Sequence, residues 1–167
     1  MNFEFSDDQK QLRDQARRFL AETCPPKAVR AVLEGEAAYD KALWKGLADM
    51  GFLGVAIPEA FGGAGAGHLE LCVIAEEMGR ALAPVPFAST VYLAAEALML
   101  AGSEAQKQAW LPKIASGAAI GTLALFEGPG NPSPQAIKVA AANGVLNGVK
   151  KPVADGAITD FAIFTAR

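Results

Sequence analysis

Hydrophobic residues recur at helical spacing through the first two thirds of the chain. Near the N-terminus, Ser6 and Gln9 have the spacing of a capping box, in which each side chain bonds the other residue's backbone N–H. Leu12, Ala16 and Leu20 then fall on one face of the predicted helix. A proline pair follows this apolar stripe and ends the helix.

Glycine and proline divide the following region into further short helices. Predicted helices start near Pro26, Asp40, Leu69, Ser89 or Thr90, and Ser103. Between them lie a brief apolar segment, Phe52–Ile57, and a glycine-rich loop, Pro58–Gly67. About six helices with short connections predict a helical bundle over residues 1–117.

The hydrophobic pattern changes at Gly117, where short apolar runs separated by turn residues replace the helical spacing. The runs are Ile120–Phe126, Ala136–Ala141, Gly144–Val149 and Phe161–Ala166. Residues 118–167 are therefore predicted to begin an antiparallel β domain, giving an α+β chain. A sheet of roughly three or four strands leaves unpaired edges and an open core face. We therefore expect the chain to be a piece of a longer protein.

Composition and charge narrow the functional classes. The formal net charge is −3, whereas a protein that binds nucleic-acid phosphates normally has an excess of basic residues. The charge therefore argues against nucleic-acid binding. Arg13, Arg17 and Arg18 form the densest basic cluster, but acidic residues interleave with them, which predicts a solvated helix face. The uncharged stretch Ala81–Ala95 is broken by prolines and is shorter than the ~20 residues of a membrane span. With no signal-peptide pattern at Met1, we expect a cytoplasmic, bacterial protein.

The candidate reactive residues do not define a reaction. Cys24 and Cys72 are predicted to be buried or semi-buried free thiols. His68 is the only histidine, which excludes a two-histidine metal site within the chain, and no metal site is predicted. Of the adjacent Glu76 and Glu77, one is expected to be solvated and the other to cap or pair locally, because they face different directions on a helix.

Two other features have structural interpretations. The glycine loop Phe61–His68 lacks the glycine spacing of a dinucleotide fingerprint and the Lys-Ser or Lys-Thr of a P-loop. It is interpreted as a flexible turn between helices. Trp44 and Trp110 fall on helical core faces, and neither needs a cofactor to explain it.

Five segments occur together in a characteristic order. They are FEFSDDQKQLRDQARRFLAE at the N-terminus, LWKGLADMGFLGVAIPEAFGGAG (Leu43–Gly65), LELCVIAEEMGRALAP (Leu69–Pro84), SEAQKQAWLPKIASGAAIGTLALFE (Ser103–Glu127) and LNGVKKPVADGAITDFAIFTAR (Leu146–Arg167). In this order, and over nearly the whole chain, they resemble the acyl-CoA dehydrogenase family.

The resemblance implies a fold and a reaction. Family members have a helical N-terminal domain, a β-barrel-like middle domain and a C-terminal four-helix bundle, and the last is absent from this chain. The implied reaction is FAD-dependent α,β-dehydrogenation of acyl-CoA thioesters, as in fatty-acid β-oxidation. The implied partners are an electron-transfer flavoprotein and further subunits of a homo- or hetero-oligomer. The catalytic base of most members lies in the C-terminal bundle, so no catalytic residue is assigned here.

The resemblance also implies two sets of site residues. Those expected at the flavin are Leu125, Phe126, Pro152, Val153 and Ala154. Those expected along the acyl chain are Val91, Tyr92, Ala94, Ala95 and Leu98. The flavin set departs from the family pattern, because Phe126 and Ala154 stand where many members have threonines, and Pro152 where many have an aromatic residue. Main-chain contacts from these segments survive such changes, since a backbone N–H needs no particular side chain.

Two functional classes therefore remain open. The first is an acyl-CoA dehydrogenase, present here as its N-terminal portion or as one subunit of a mixed assembly. The second is a non-catalytic relative that serves as a structural or acyl-CoA-binding partner subunit, which the missing flavin hydroxyls favour. A monooxygenase or nitroalkane-type relative on the same fold is a smaller third class.

Overall fold

The computed structural model describes residues 4–130 and 132–167. The helices in this part of the chain are α1 (Asp7–Thr23), α2 (Pro26–Glu34), α3 (Lys41–Asp49), α4 (His68–Ala81), α5 (a π-helical segment Ala88–Ala95 continuing into an α-helical segment Glu96–Ala101) and α6 (Glu104–Ala115). The strands are β1 (Gly121–Ala124), β2 (Ala140–Ala142), β3 (Val145–Asn147) and β4 (Phe161–Phe164). The predicted order, helices first and β structure after them, is confirmed.

Local signals in the sequence account for the helix boundaries. Ser6 with Gln9, and Ser103 with Gln106, form complete capping boxes at the starts of α1 and α6. The apolar segment after α3 is a 3₁₀ turn, Phe52–Gly54, that follows Gly51 in the left-handed conformation. The predicted restart at Ser89 or Thr90 is slightly late, because α5 begins at Ala88 and its first part is π-helical.

The helical part encloses most of the core. Helix α1 packs against α4, and the fully buried Leu47, Leu53 and Ile74 lie between the helices. A second cluster lies under α6 and includes Leu111 and Ile114. No described helix is long and apolar enough to cross a membrane.

The strands form two separate two-stranded sheets, and none of the described strands closes a barrel. The β2–β3 hairpin is antiparallel and turns at Asn143 and Gly144, both with positive φ, as the Asn-Gly signal predicts. In contrast, β1 pairs with β4 in parallel, so the prediction of antiparallel pairing is wrong for these two strands. Turn residues predict where a chain reverses, but here the chain after β3 crosses over before it enters β4.

Side chains set the register of the parallel pair. The Asp160 carboxylate accepts the Ile120 N–H at 2.7 Å, one residue before each strand begins. The ring of Phe161 covers Gly121, where an added Cβ would lie 2.5 Å from Phe161 Cζ. Trp110 of α6 stacks on the same ring, with centroids 4.2 Å apart, so the β sheet is attached to the helical part.

Candidate functional site

The two predicted flavin segments meet where β1 ends. The Lys151 N–H donates to the Phe126 carbonyl at 2.8 Å, and Glu127 forms a parallel bridge with Lys151. Leu125 and Phe126 are therefore beside the segment that continues into Pro152, which the sequence separates by more than twenty residues. This contact defines the candidate site.

A buried lysine holds the junction together. The Lys150 side chain is 2% exposed, and its ammonium group lies 2.7 Å from Glu127 Oε1, 2.8 Å from Thr165 Oγ1 and 3.3 Å from the Leu125 carbonyl. These three oxygens match the three N–H donors of the ammonium group. Lys150 thus connects the end of β1 with the residue after β4.

Glu127 accepts three hydrogen bonds at this junction. Its carboxylate accepts the backbone N–H groups of Lys138 and Val139, at 2.8 and 3.1 Å, in addition to the Lys150 ammonium. The hydrogen bond from Lys150, supported by the two backbone N–H groups, lowers the pKa of Glu127 to about 2. Sequence reasoning missed this pair, although a carboxylate after a strand and the Asn-Gly-x-Lys pattern were both available as signals.

The depressed pKa predicts how the stability depends on pH. Because the pKa falls from 4.5 to about 2 on folding, ionised Glu127 stabilises the chain above pH 4.5 and the contribution disappears as the pH falls towards 2. Glu127→Gln should therefore lower the free energy of unfolding at pH 7 and leave it nearly unchanged near pH 2. Urea unfolding of both chains across this range measures the difference. A constant deficit at all pH values would contradict the assignment.

The predicted flavin residues carry no side-chain hydrogen-bonding group, so a flavin placed here would be held by main-chain groups. Leu125 and Phe126 line a cavity of about 180 Å³, whereas Val153 lines a separate one of about 390 Å³. The Phe126 side chain is 39% exposed, and Pro152 and Ala154 are also exposed.

Two threonine hydroxyls close to these segments already make hydrogen bonds within the chain. Thr122 Oγ1 donates to the Ala154 carbonyl at 2.7 Å, and Thr165 Oγ1 accepts the hydrogen bond from Lys150. Both threonine hydroxyls therefore donate to carbonyls of the chain itself, Thr122 to Ala154 and Thr165 to Leu125.

The predicted acyl-chain residues lie on α5. Val91, Ala94, Ala95 and Leu98 are buried in the described part of the chain. Tyr92 is half-buried and lines a cavity of about 270 Å³ together with Phe87, whose ring it meets edge-on at 5.2 Å. Burial raises the pKa of Tyr92 to about 12, so its hydroxyl is neutral at physiological pH.

The glycine loop is a structural turn whose amides point inward. The N–H groups of Ala64, Gly65 and Ala66 donate to the carbonyls of Gly54, Ile57 and Val55, each at 2.9 Å. Amides committed to internal carbonyls are unavailable to a phosphate group. The interpretation as a turn between helices is therefore confirmed, although the turn is anchored by these bonds.

The paired glutamates separate as predicted, but the partner of the buried one is distant. Glu76 is exposed, whereas the Glu77 side chain is 1% exposed and accepts two hydrogen bonds from Arg17 of α1, at 2.7 and 3.0 Å. The hydrogen bond from Arg17 lowers the pKa of Glu77. Two predictions therefore need correction: Glu77 does not pair only locally, and Arg17 does not lie on a purely solvated face.

The remaining candidates are isolated from one another. Cys24 is a buried free thiol, whereas Cys72 is exposed, contrary to prediction. His68 begins α4 as predicted and lies 3.0 Å from Glu96 Oε2. Within residues 4–130 and 132–167, no three histidine, cysteine or acidic side chains cluster as metal ligands would. Asn131 of the predicted turn and Phe3 of the opening motif lie outside the described residues.

Comparison with known proteins gives one consistent result. Residues 6–118 match the family model described as acyl-CoA dehydrogenase, N-terminal domain. Isovaleryl-CoA dehydrogenase of Pongo abelii is 34% identical over 168 aligned residues, which cover 97% of this chain and 40% of that protein. Acyl-CoA dehydrogenase IpdE2 of Mycobacterium tuberculosis is 36% identical over 71% of this chain and 37% of its own length.

A solved structure is similar over nearly the whole chain. The ChsE4-ChsE5 complex of Mycobacterium tuberculosis superposes with a TM-score of 0.84 at 32% identity, covering 98% of this chain and 46% of that one. The chain thus spans less than half the length of the relatives it matches. The similarity includes both the helices and the junction between β1 and the Lys150 segment.

Proposed function

This chain belongs to the acyl-CoA dehydrogenase family, and we propose that it is the N-terminal portion of an FAD-dependent enzyme that dehydrogenates acyl-CoA thioesters. The observation that carries the proposal is the continuous similarity over 97% of the chain, from the helices into the β junction. The relatives' names specify acyl-CoA dehydrogenation for proteins more than twice as long, so the activity proposed is that of a protein containing this chain.

The chain's own contribution is to hold two faces of the site. We propose that the main chain at Leu125 and Phe126, with the segment Pro152–Ala154, contacts the flavin. Lys150 and Glu127 fix these two segments to each other. When bound, the flavin supplies the acceptor for the hydride lost from the substrate.

We further propose that α5 lies along the acyl chain. Of its predicted lining residues, Tyr92 borders a cavity in the described chain, while Val91, Ala94, Ala95 and Leu98 pack inward. A neutral Tyr92 hydroxyl can donate a hydrogen bond without introducing charge. The proposed partners are the acyl-CoA substrate, an electron-transfer flavoprotein and other subunits, since one similar structure is a complex of two components.

The second candidate is a non-catalytic partner subunit. It is favoured by Phe126, Pro152 and Ala154, which offer no hydroxyl, and by the engagement of Thr122 and Thr165 elsewhere. Under this alternative, the chain binds acyl-CoA or another subunit and leaves flavin chemistry to that subunit.

The protein encoded by the complete reading frame distinguishes the two candidates. For the enzyme, we expect the purified protein to bind FAD and its visible flavin absorbance to bleach when a reactive acyl-CoA is added without oxygen. A panel should include branched, straight-chain and ring-bearing thioesters. If the protein binds acyl-CoA but no FAD, the enzyme proposal is wrong and the partner-subunit proposal takes its place.

Phe126 offers a matched pair of variants for the flavin assignment. Phe126→Thr restores the family hydroxyl, and should tighten FAD binding roughly fivefold, as expected for one neutral hydrogen bond of about 1 kcal/mol. Phe126→Val removes the same ring without supplying a hydroxyl and should give no such gain. Equal effects of the two changes would show that ring removal, rather than hydrogen bonding, alters the site.

A further inference from the structure

Three buried hydroxyls lie at the junction between α5 and the β segment. Ser89, Thr90 and Thr122 are each fully buried. A buried hydroxyl without a partner costs free energy, so such groups persist where they make defined hydrogen bonds. Their partners show which parts of the chain they connect.

Each hydroxyl crosses from one element to another. Ser89 Oγ donates to Asp155 Oδ2 at 2.6 Å, a shorter contact than its 3.1 Å contact with the Pro86 carbonyl, and Thr122 Oγ1 donates to the Ala154 carbonyl at 2.7 Å. Thr90 Oγ1 donates to the Gly121 carbonyl and accepts the Gly121 N–H, both at 3.2 Å. Helix α5, strand β1 and the turn at Asp155 are therefore joined by a continuous set of hydrogen bonds.

The turn at Asp155 needs such support. Asp155 has a φ of +53°, in the left-handed region that a non-glycine residue adopts at some cost. Within the turn, the Gly156 N–H donates to the Val153 carbonyl at 3.4 Å and the Ile158 N–H donates to the Asp155 carbonyl at 3.0 Å. The Ser89 bond, which is charge-assisted and short, adds a third attachment, directly to the helix.

We propose that Ser89 and Asp155 are positioning residues, which with Thr122 set the segment Pro152–Ala154 at a fixed distance from α5. This inference rests on the proposed function. The contact joins the flavin-facing segment to the acyl-facing helix, because Ser89 lies within one helical turn of Val91 and Tyr92. Movement of either face would then be transmitted to the other, and substrate and flavin would keep one relative placement.

Amide hydrogen exchange on the complete protein, prepared without flavin, tests the attachment. Ser89→Ala should speed exchange of the Gly156 and Ile158 amides roughly tenfold, since a hydrogen bond to a charged group is lost. Exchange of the Cys24 amide, bonded within α1 at 2.9 Å, should be unchanged. Equal acceleration at Cys24 would indicate general loosening of the fold and overturn the proposal, as would no acceleration at Ile158.

Asp155 provides the conservative control. Asp155→Asn retains a side-chain acceptor for Ser89 and a residue type that tolerates positive φ, so exchange should stay within roughly threefold of the parent chain. Asp155→Ala should behave like Ser89→Ala. If Asp155→Asn and Asp155→Ala change the exchange rates equally, the hydrogen bond from Ser89 does not hold the turn.

The complete protein tests the consequence for the site. Ser89→Ala and Asp155→Ala should each raise the dissociation constant for FAD by roughly fivefold, with Asp155→Asn restoring it. If the parent protein binds no FAD, the proposed function fails and the exchange result alone decides the attachment. If it binds FAD and the variants bind equally well, the positioning role is overturned.

Discussion

Gly63→Ala is expected to destabilise the chain by about 4 kcal/mol, near the upper end for a single substitution. A Cβ at this position would lie 2.0 Å from the Ile57 carbonyl oxygen and 2.6 Å from that of Gly54. Both obstacles are backbone atoms, so the clash cannot be relieved by rotating a side chain. The surrounding turn is also held by three backbone hydrogen bonds, from Ala64, Gly65 and Ala66. Urea unfolding of the two chains measures the loss.

Gly79→Ala is the matched control for this prediction. Gly79 lies within α4, and an added Cβ there would meet nothing within 4 Å. Alanine in a helix interior should therefore stabilise the chain by roughly 0.5–1 kcal/mol. Opposite signs for the two substitutions are expected, and a loss below about 1 kcal/mol at Gly63 would mean that the loop can shift to accommodate a methyl group.

The elements predicted well from sequence are those whose signals are local. The capping box at Ser6, the helix start at Ser103 and the Asn143–Gly144 hairpin turn each depend on residues within four positions of one another. A short stretch contains all the atoms that decide such a feature, so one sequence suffices to recognise it. The helices of the N-terminal two thirds were predictable for the same reason.

The features that were missed depend on distant residues. The parallel pairing of β1 with β4 and the Ser89–Asp155 and Glu127–Lys150 contacts join residues 23 to 66 positions apart. Periodicity cannot reveal such pairs, because each side chain alone is compatible with exposure to solvent. The candidate flavin residues Leu125–Phe126 and Pro152–Ala154 came from family resemblance and not from periodicity, and their contact with a flavin stays a prediction.

Arg17 of α1 and Glu77 of α4 form an ion pair, and replacing Arg17 is expected to lower the free energy of unfolding more than replacing Glu77. Arg17→Ala should cost about 3 kcal/mol, because it takes both Arg17 hydrogen bonds from a carboxylate that is 1% exposed, and the Arg80 guanidinium lies 3.4 Å away. Glu77→Gln should cost about 1 kcal/mol, since the Arg17 side chain is 46% exposed and can turn to water. Urea unfolding at neutral pH measures both values.

Two measurements test whether the buried Glu77 charge causes the loss of stability in Arg17→Ala. They are the stability of the variant that combines Arg17→Ala with Glu77→Gln and the pH dependence of Arg17→Ala. With Glu77 already replaced by glutamine, Arg17→Ala leaves no charge unpaired, so the double variant should be no less stable than Arg17→Ala alone. Folding lowers the pKa of Glu77 chiefly through its hydrogen bond from Arg17. Without that bond, protonation relieves the buried charge, and the deficit of Arg17→Ala should shrink as the pH falls below the ordinary glutamate range. Strictly additive losses, or a deficit independent of pH, would show instead that Arg17 stabilises the interface through the packing of its aliphatic stem.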